Sequence, residues 1–346
     1  MHRRTVLKGL ASALLAGPFA SAQATPDPSN PHHHKLAALY SAQHRGIALL
    51  VMVDGQTVLE DYPNGGSPTR AHELASGTKS FSGVMAVAAQ QDGLLSLDEP
   101  VSKTLGEWQN DPLRAQITLR QLLNLTSGIP GGGLGRPPTY QEAIQTRAAA
   151  PPGTRFSYGP IPFQIFGEVM RRKLKGDPLE YLTRRIFEPI GLEYAQWRRG
   201  ADGNPHLPSG ASLTARNWAR FGELVRQGGL WQGTRLLDAA LLDQCFAPSQ
   251  VNPIYGLTWW LGRPISPAQR SAIGPVGQGI DALASTPGLP DDLAIAAGAG
   301  DQRLYISRKL RLVVVRQAEG IVESLAGRRT AFSDAVFLRL LLTGQG

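Results

Sequence analysis

The sequence predicts an α/β (α+β) fold: an antiparallel sheet built from both chain ends and flanked by terminal helices, with a helical lobe inserted between. Three observations predict it. An apolar, β-branched run lies near the start at 47–53, and Asp54-Gly55, a tight hairpin signal, joins it to a strand that resumes at 56–62. Three more strand-like runs lie near the end, at 293–297, 302–306 and 311–316, with short turns between them. The middle, roughly 80–205, is helix-rich and broken by loops.

The elements follow in order. Residues 1–24 read as a signal peptide of twin-arginine type: Arg3-Arg4, a short apolar stretch from Gly9 to Ala20, then small residues of A-x-A type. The expected destination is the periplasm or the medium, with the twin-arginine export machinery as a partner. Residues 25–35 read as a linker, and 36–346 as one domain. His32-His33-His34 reads as an exposed helix start, because three adjacent side chains cannot all face one ion. Residues 36–42 then look helical. The run Ser80 to Gln91 has a helical pattern and is almost wholly apolar, hence buried on most sides. Gly93 ends it, and Asp98-Glu99-Pro100 marks another helix start.

Residues 117–125 are helical with Thr118 as a cap. The Gly-rich stretch 128–135 has no following Lys-Ser/Thr, so it is an irregular wall near a cleft and not a phosphate loop. Helical periodicity returns at 161–173 and 178–187. A closing helix at 330–342 carries Phe332, Val336, Phe337, Leu340 and Leu341 on its apolar side.

Composition narrows the function. The chain is 42% hydrophobic and 18% charged, as a packed protein requires. Its net charge of +8 falls to +5 once Arg3, Arg4 and Lys8 of the leader are set aside. The cations lie in scattered pairs with no aromatic interleaving, which argues against nucleic acid. No stretch is long enough to span a bilayer. The single cysteine, Cys245, allows no internal disulfide. Neither an H-E-x-x-H motif nor a Cys ligand pair is present, so no metal and no cofactor is expected.

One stretch carries chemistry: LASGTKSFSG, residues 74–83. Positions three apart share a helix face, so Ser76 and Lys79 can touch if the segment is helical. Burial lowers a lysine pKa, and a neutral amine can act as a base. A serine at a helix start also lies where backbone N–H groups favour developing negative charge. The same spacing would serve an ordinary capped helix with a solvated lysine. His72 is a weaker candidate, with no Asp placed to orient it.

The wider context bears on that choice. ELASGTKSFSGVMAVAAQQDGLLSLDEPV resembles the motif region of the penicillin-recognising serine hydrolases: class C β-lactamases, DD-peptidases and their esterase relatives. ITLRQLLNLTSGIP, PPGTRFSYGP, IFEPIGL and YGLTWWLG are similar to further segments of that family, in the same order. The resemblance implies a β-lactamase/transpeptidase-like fold. It implies Ser76 as acyl-accepting nucleophile, Lys79 as its proton partner and Tyr158 as the second-motif tyrosine, with the acting base either Lys79 or Tyr158. If Tyr158 is that base, its phenol must be lowered by about three units, and a nearby Lys79 cation could supply much of the shift.

Two departures matter. Tyr158 is followed by Gly159-Pro160, without the family's side-chain amide. The third motif reads Ala296-Ala297-Gly298, with no cation to hold a substrate carboxylate. By the same resemblance Gly298, Ala299 and Gly300 line the acyl group, with the Ser76 and Ala299 amides as oxyanion donors. Trp259 and Trp260 are candidates for the acyl pocket or for the core. The expected substrate is an ester or small amide. The alternatives are a β-lactamase or DD-peptidase, or a catalytically silent binder of cell-wall peptides.

Overall fold

The computed structural model describes residues 25–273, 277, 279–328 and 331–346; the leader reading of residues 1–24 lies outside them. Six strands form the main sheet: β1 (Gly46–Val53), β2 (Gln56–Asp61), β3 (Trp260–Leu261), β4 (Ala294–Gly298), β5 (Gln302–Ser307) and β6 (Leu312–Ala318). Their order is β2-β1-β6-β5-β4-β3, with every pairing antiparallel. The first and last segments of the chain therefore meet at the β1–β6 ladder, where Leu49 faces Arg316 and Val51 faces Val314. The expected sheet from both chain ends is the observed one. Its Asp54-Gly55 turn has both residues at positive φ, 53° and 79°, the geometry of a two-residue hairpin.

Of the helices among the described residues, six frame the sheet and the site: α1 (Pro31–Gln43), α2 (Lys79–Gln91), α3 (Ile161–Leu174), α4 (Ala215–Arg226), α5 (Ile321–Leu325) and α6 (Asp334–Thr343). The terminal helices α1 and α6 pack together, and α4 packs against β1, β5 and β6. Arg316 ties α1 to the sheet. Its guanidinium donates to Ser41 Oγ at 3.1 Å and to the His44 carbonyl at 2.5 Å, and lies 3.9 Å from the centre of the Phe332 ring. Helix α2 is buried from Lys79 through Ala89, with Phe81 against Phe187, Trp197 and Phe221. It forms part of one continuous core with the sheet and the helical lobe.

Several boundaries differ from the sequence reading. Helix α1 begins at Pro31, capped by the Asn30 side chain, so the linker is shorter than 25–35. Of the three histidines, His34 is buried, with Nε2 2.7 Å from the Pro28 carbonyl. Asp98-Glu99-Pro100 opens only one tight turn, Val101–Lys103, because Pro100 pairs with Thr118 in a β-bridge. Thr118 caps Leu119–Leu123 in a reciprocal capping box with Gln121. Helix α6 starts four residues late, at Asp334, where Ser333 caps it. It buries Phe337, Leu338, Leu341 and Leu342, while Val336 and Leu340 are half-buried.

Leu341 is fully buried on α6. Leu341→Ala is expected to lower the unfolding free energy by about 2–5 kcal/mol in a urea titration.

Candidate active site

The serine sits in a tight turn, Ala75–Thr78, that runs directly into α2. Tertiary contacts place this turn. The Leu74 amide donates to the Ala211 carbonyl at 2.9 Å, and the Ala211 amide donates back to Thr78 Oγ1 at 3.3 Å. Ala75 has φ +45°, in the left-handed region. Such a conformation costs about 1–3 kcal/mol at a non-glycine residue and recurs beside functional groups. No sequence signal at Ala75 announces it.

Lys79 opens α2 and is 3% exposed. Its Nζ lies 3.0 Å from Ser76 Oγ and donates to the Pro208 carbonyl at 2.9 Å. Neither partner is a carboxylate. Burial therefore acts without an opposing anion, and pushes the amine down from 10.5 to about 7. That shift corresponds to roughly 5 kcal/mol against the charged form. Ser76 itself is partly exposed at the floor of a cleft.

Tyr158 reaches the same place from the loop before α3. Its ring centre is 5.0 Å from Lys79 Nζ, and its phenol interacts with Ser76 and Trp260. The lowering that a phenolic base requires is not what the structure shows. Burial raises it to about 12, and the Ser76 hydroxyl, the Arg303 charge and the Trp260 indole only partly oppose that. The physical reason is shared surroundings. The ring stands among Trp260, Tyr255 and Phe156, with centroids 5.6–6.4 Å away. The apolar enclosure that burdens the phenolate also discharges Lys79, so Lys79 is not a fixed cation beside the phenol, and the Arg303 charge offsets burial only in part. At neutral pH the amine can accept a proton, and the phenol holds one.

The sheet supplies the opposite wall. The end of β4 docks on the serine turn so closely that a Cβ on Gly298 would lie 2.1 Å from the Leu74 carbonyl oxygen. Only glycine allows this approach. Among the described residues, neither the Ser76 amide nor the Ala299 amide has a hydrogen-bond partner. The turn that carries Ala299 is held by its carbonyls. Arg303 Nη1 donates to Gly298 O at 3.1 Å, Gln302 Nε2 to Gly300 O at 3.0 Å, and Arg316 Nη1 to Asp301 O at 2.9 Å. In a trans peptide the N–H points opposite to the C=O, so fixing the Gly298 carbonyl fixes the Ala299 amide.

The cleft has a volume of about 360 Å³, within the small-molecule range. It contains two cations that the sequence reading missed, Arg198 and Arg303. Both are paired. Arg198 bonds Glu73 at 2.6 Å and the Ser209 carbonyl at 2.8 Å. Arg303 bonds Asp334 at 2.7 Å. Burial alone would raise the Asp334 carboxyl, but Arg303 more than offsets it and holds the group below the usual range. The side-chain alternation of β5 could have indicated Arg303; its carboxylate partner 31 residues away could not be read. The tryptophan pair divides. Trp259 is fully buried and stacks on Phe221, whereas Trp260 lines the cleft.

Position 159 has a steric explanation. A Cβ there would lie 2.2 Å from the Gly131 carbonyl oxygen, because the Gly-rich stretch packs on the Tyr158-Gly159 backbone. His72 does not line the cleft; its Nε2 lies 2.9 Å from the Ala318 carbonyl. Cys245 is buried, which raises its thiol to about 12. Among the described residues no group of three or more His, Cys, Asp or Glu could hold a metal ion.

A lysine that titrates near 7 is directly measurable. In ¹³C-lysine-labelled protein, one side-chain resonance should inflect near pH 7 and be missing from Lys79→Met. Inflection of every lysine near 10 would contradict the geometry.

Comparison with known proteins agrees with this architecture. The chain is 25% identical over 193 residues to Protein flp of Staphylococcus aureus, a match covering 49% of this chain and 38% of that protein. It is 28% identical over 155 residues to lovastatin esterase of Penicillium rubens, covering 36% and 39%. The chain thus spans well under half the length of these curated relatives. A penicillin-binding protein homologue from Caulobacter crescentus superposes with a TM-score of 0.67 at 16% identity, over 93% of this chain and 98% of that one. It shares the fold. The family model described as Beta-lactamase matches residues 31–331, nearly all of the described chain, and on that match this protein belongs to the Beta-lactamase family.

Proposed function

We propose that this protein is an exported serine hydrolase that cleaves an ester or a small amide by transferring the acyl group to Ser76. One observation carries the reading: a buried amine with a pKa of about 7, 3.0 Å from a cleft-facing hydroxyl. At an ordinary lysine pKa only about one amine in a few thousand would be neutral at pH 7; burial raises that share by orders of magnitude.

The chemistry follows from the positions. Neutral Lys79 accepts the Ser76 proton as Oγ attacks the substrate carbonyl carbon. The oxyanion forms between the Ser76 and Ala299 amides, whose orientation is set before substrate arrives. The Lys79 ammonium returns its proton to the leaving alkoxide or amine, directly or through the Tyr158 hydroxyl, and the carbon–oxygen or carbon–nitrogen bond breaks. Water then attacks acyl-Ser76, with Lys79 again taking the proton. The acid departs and Ser76 is restored.

The charge pattern of the cleft favours a neutral substrate. An anionic β-lactam or a peptide C-terminus would have to compete with Glu73 for Arg198, or with buried Asp334 for Arg303. Breaking such a pair leaves a carboxylate uncompensated. An ester or amide imposes no such cost.

Two outcomes test this reading. Mature protein should hydrolyse p-nitrophenyl acetate, with Ser76→Ala lowering kcat/KM about a thousandfold or more, while a chromogenic cephalosporin turns over at least about a hundredfold more slowly than the ester. Retained esterase activity in Ser76→Ala would remove the serine from the chemistry. Export rests on Arg3-Arg4 and the apolar stretch behind them. Replacing both arginines with lysine should leave the protein in the cytoplasmic fraction, and continued export would contradict the twin-arginine route.

A further inference from the structure

Exposed large apolar side chains are few in this protein, and they are not scattered. Among the described residues they are Leu39, Val58, Leu134, Val322 and Leu325. Three of the five stand at the mouth of the cleft: Leu134 is 55% exposed, Val322 74% and Leu325 43%. Leu134 comes from the Gly-rich stretch, and Val322 and Leu325 from α5. The two lips meet, since a Cβ on Gly135 would lie 3.8 Å from Leu325 Cδ1. Ile280 and Ile321 line the same cleft, as do Trp260 and Ser76.

We infer that this rim is a subsite for the hydrocarbon portion of a neutral, lipophilic ester, which it holds while the carbonyl lies against Ser76. The inference rests on the acyl-transfer reading above and specifies its substrate class. Three facts on the rim's surroundings identify the occupant. The three rim side chains line the same cleft as the serine. Both cleft arginines are already neutralised by carboxylates. The cavity is of small-molecule size. Apolar side chains left in water at a cleft mouth gain by being covered, at a rate that makes each added methylene worth about fourfold in binding.

The experiment follows kcat/KM along p-nitrophenyl acetate, butyrate, hexanoate and octanoate, and along acetate esters of lengthening alcohols. In the native protein at least one series should rise more than tenfold between its shortest and its six-carbon member. In Leu134→Ser/Val322→Ser/Leu325→Ser, each series scaled to its own shortest ester, the rise should shrink to about twofold. Val322→Ser alone, at a position too exposed to affect folding, should give an intermediate slope. A flat native profile, or a slope unchanged in the variants, overturns the subsite and leaves the acyl-transfer reading intact.

A second arm separates the two claims. In Ser76→Ala protein, where chemistry is removed, Nile red fluorescence should report binding that the triple substitution weakens at least fivefold. Dye binding without any ester hydrolysis by native protein would preserve the rim and sink the acyl-transfer reading. Rim-dependent sedimentation with phosphatidylcholine vesicles, together with an unaltered chain-length slope, would make the rim a membrane contact and overturn the inference.

Discussion

The site depends on one unfavourable placement: an amine sealed from water with no carboxylate beside it. A solvated Lys79 would be an inert cation, and a Lys79 paired with Asp or Glu would be a permanent one. Desolvation alone leaves a base. Everything around the residue maintains that state. Helix α2 is buried over nearly its whole length, the Pro208 carbonyl gives Nζ a neutral acceptor, and the rings of Tyr158 and Phe163 stand 5.0 and 5.3 Å away. The same enclosure keeps the Tyr158 phenol protonated. One physical cause thus separates two groups into a proton acceptor and a proton holder.

The fold brings this enclosure to a surface. The serine turn is pinned by Ala211 on one side and by the end of β4 on the other. The turn after β4 is fixed by its carbonyls, through side chains from β5 and β6, the strands that pair with β4 and β1. Because β1 and β6 join the two chain ends, the amide geometry beside Ser76 is set by contacts that no local segment could make. The central core and the site therefore share their supports, and the cleft opens where the sheet edge faces the helical lobe.

The legible part of this arrangement is what depends on local period. The Asp54-Gly55 hairpin, the strands at both ends, and the apolar run of α2 are readable from alternation, turn chemistry and helical spacing. So is the proximity of Ser76 and Lys79, three residues apart in one turn. Tyr158 entered only through resemblance, since nothing in PPGTRFSYGP by itself aims a phenol at residue 76. The left-handed Ala75, the Pro208 carbonyl and the Arg303–Asp334 pair were not legible, because each is created by chain segments that meet only in three dimensions. The direction of the Tyr158 shift was not legible either, for a related reason. A neighbouring lysine was counted as a cation, whereas its charge state depends on the burial that the phenol shares. Ala296-Ala297-Gly298 carries no cation, yet β5 and the segment at 198 bring arginines to the cleft from elsewhere.

The most direct measurement of the central claim is the rate at which a fluorophosphonate phosphonylates Ser76 as a function of pH. The reagent carries no group that titrates across the range, so the profile reports the base. A neutral buried amine predicts a rate that climbs about tenfold per pH unit up to about 7 and is level beyond it. A rate that keeps climbing to about pH 10, the ordinary range of a solvated lysine, would contradict the account.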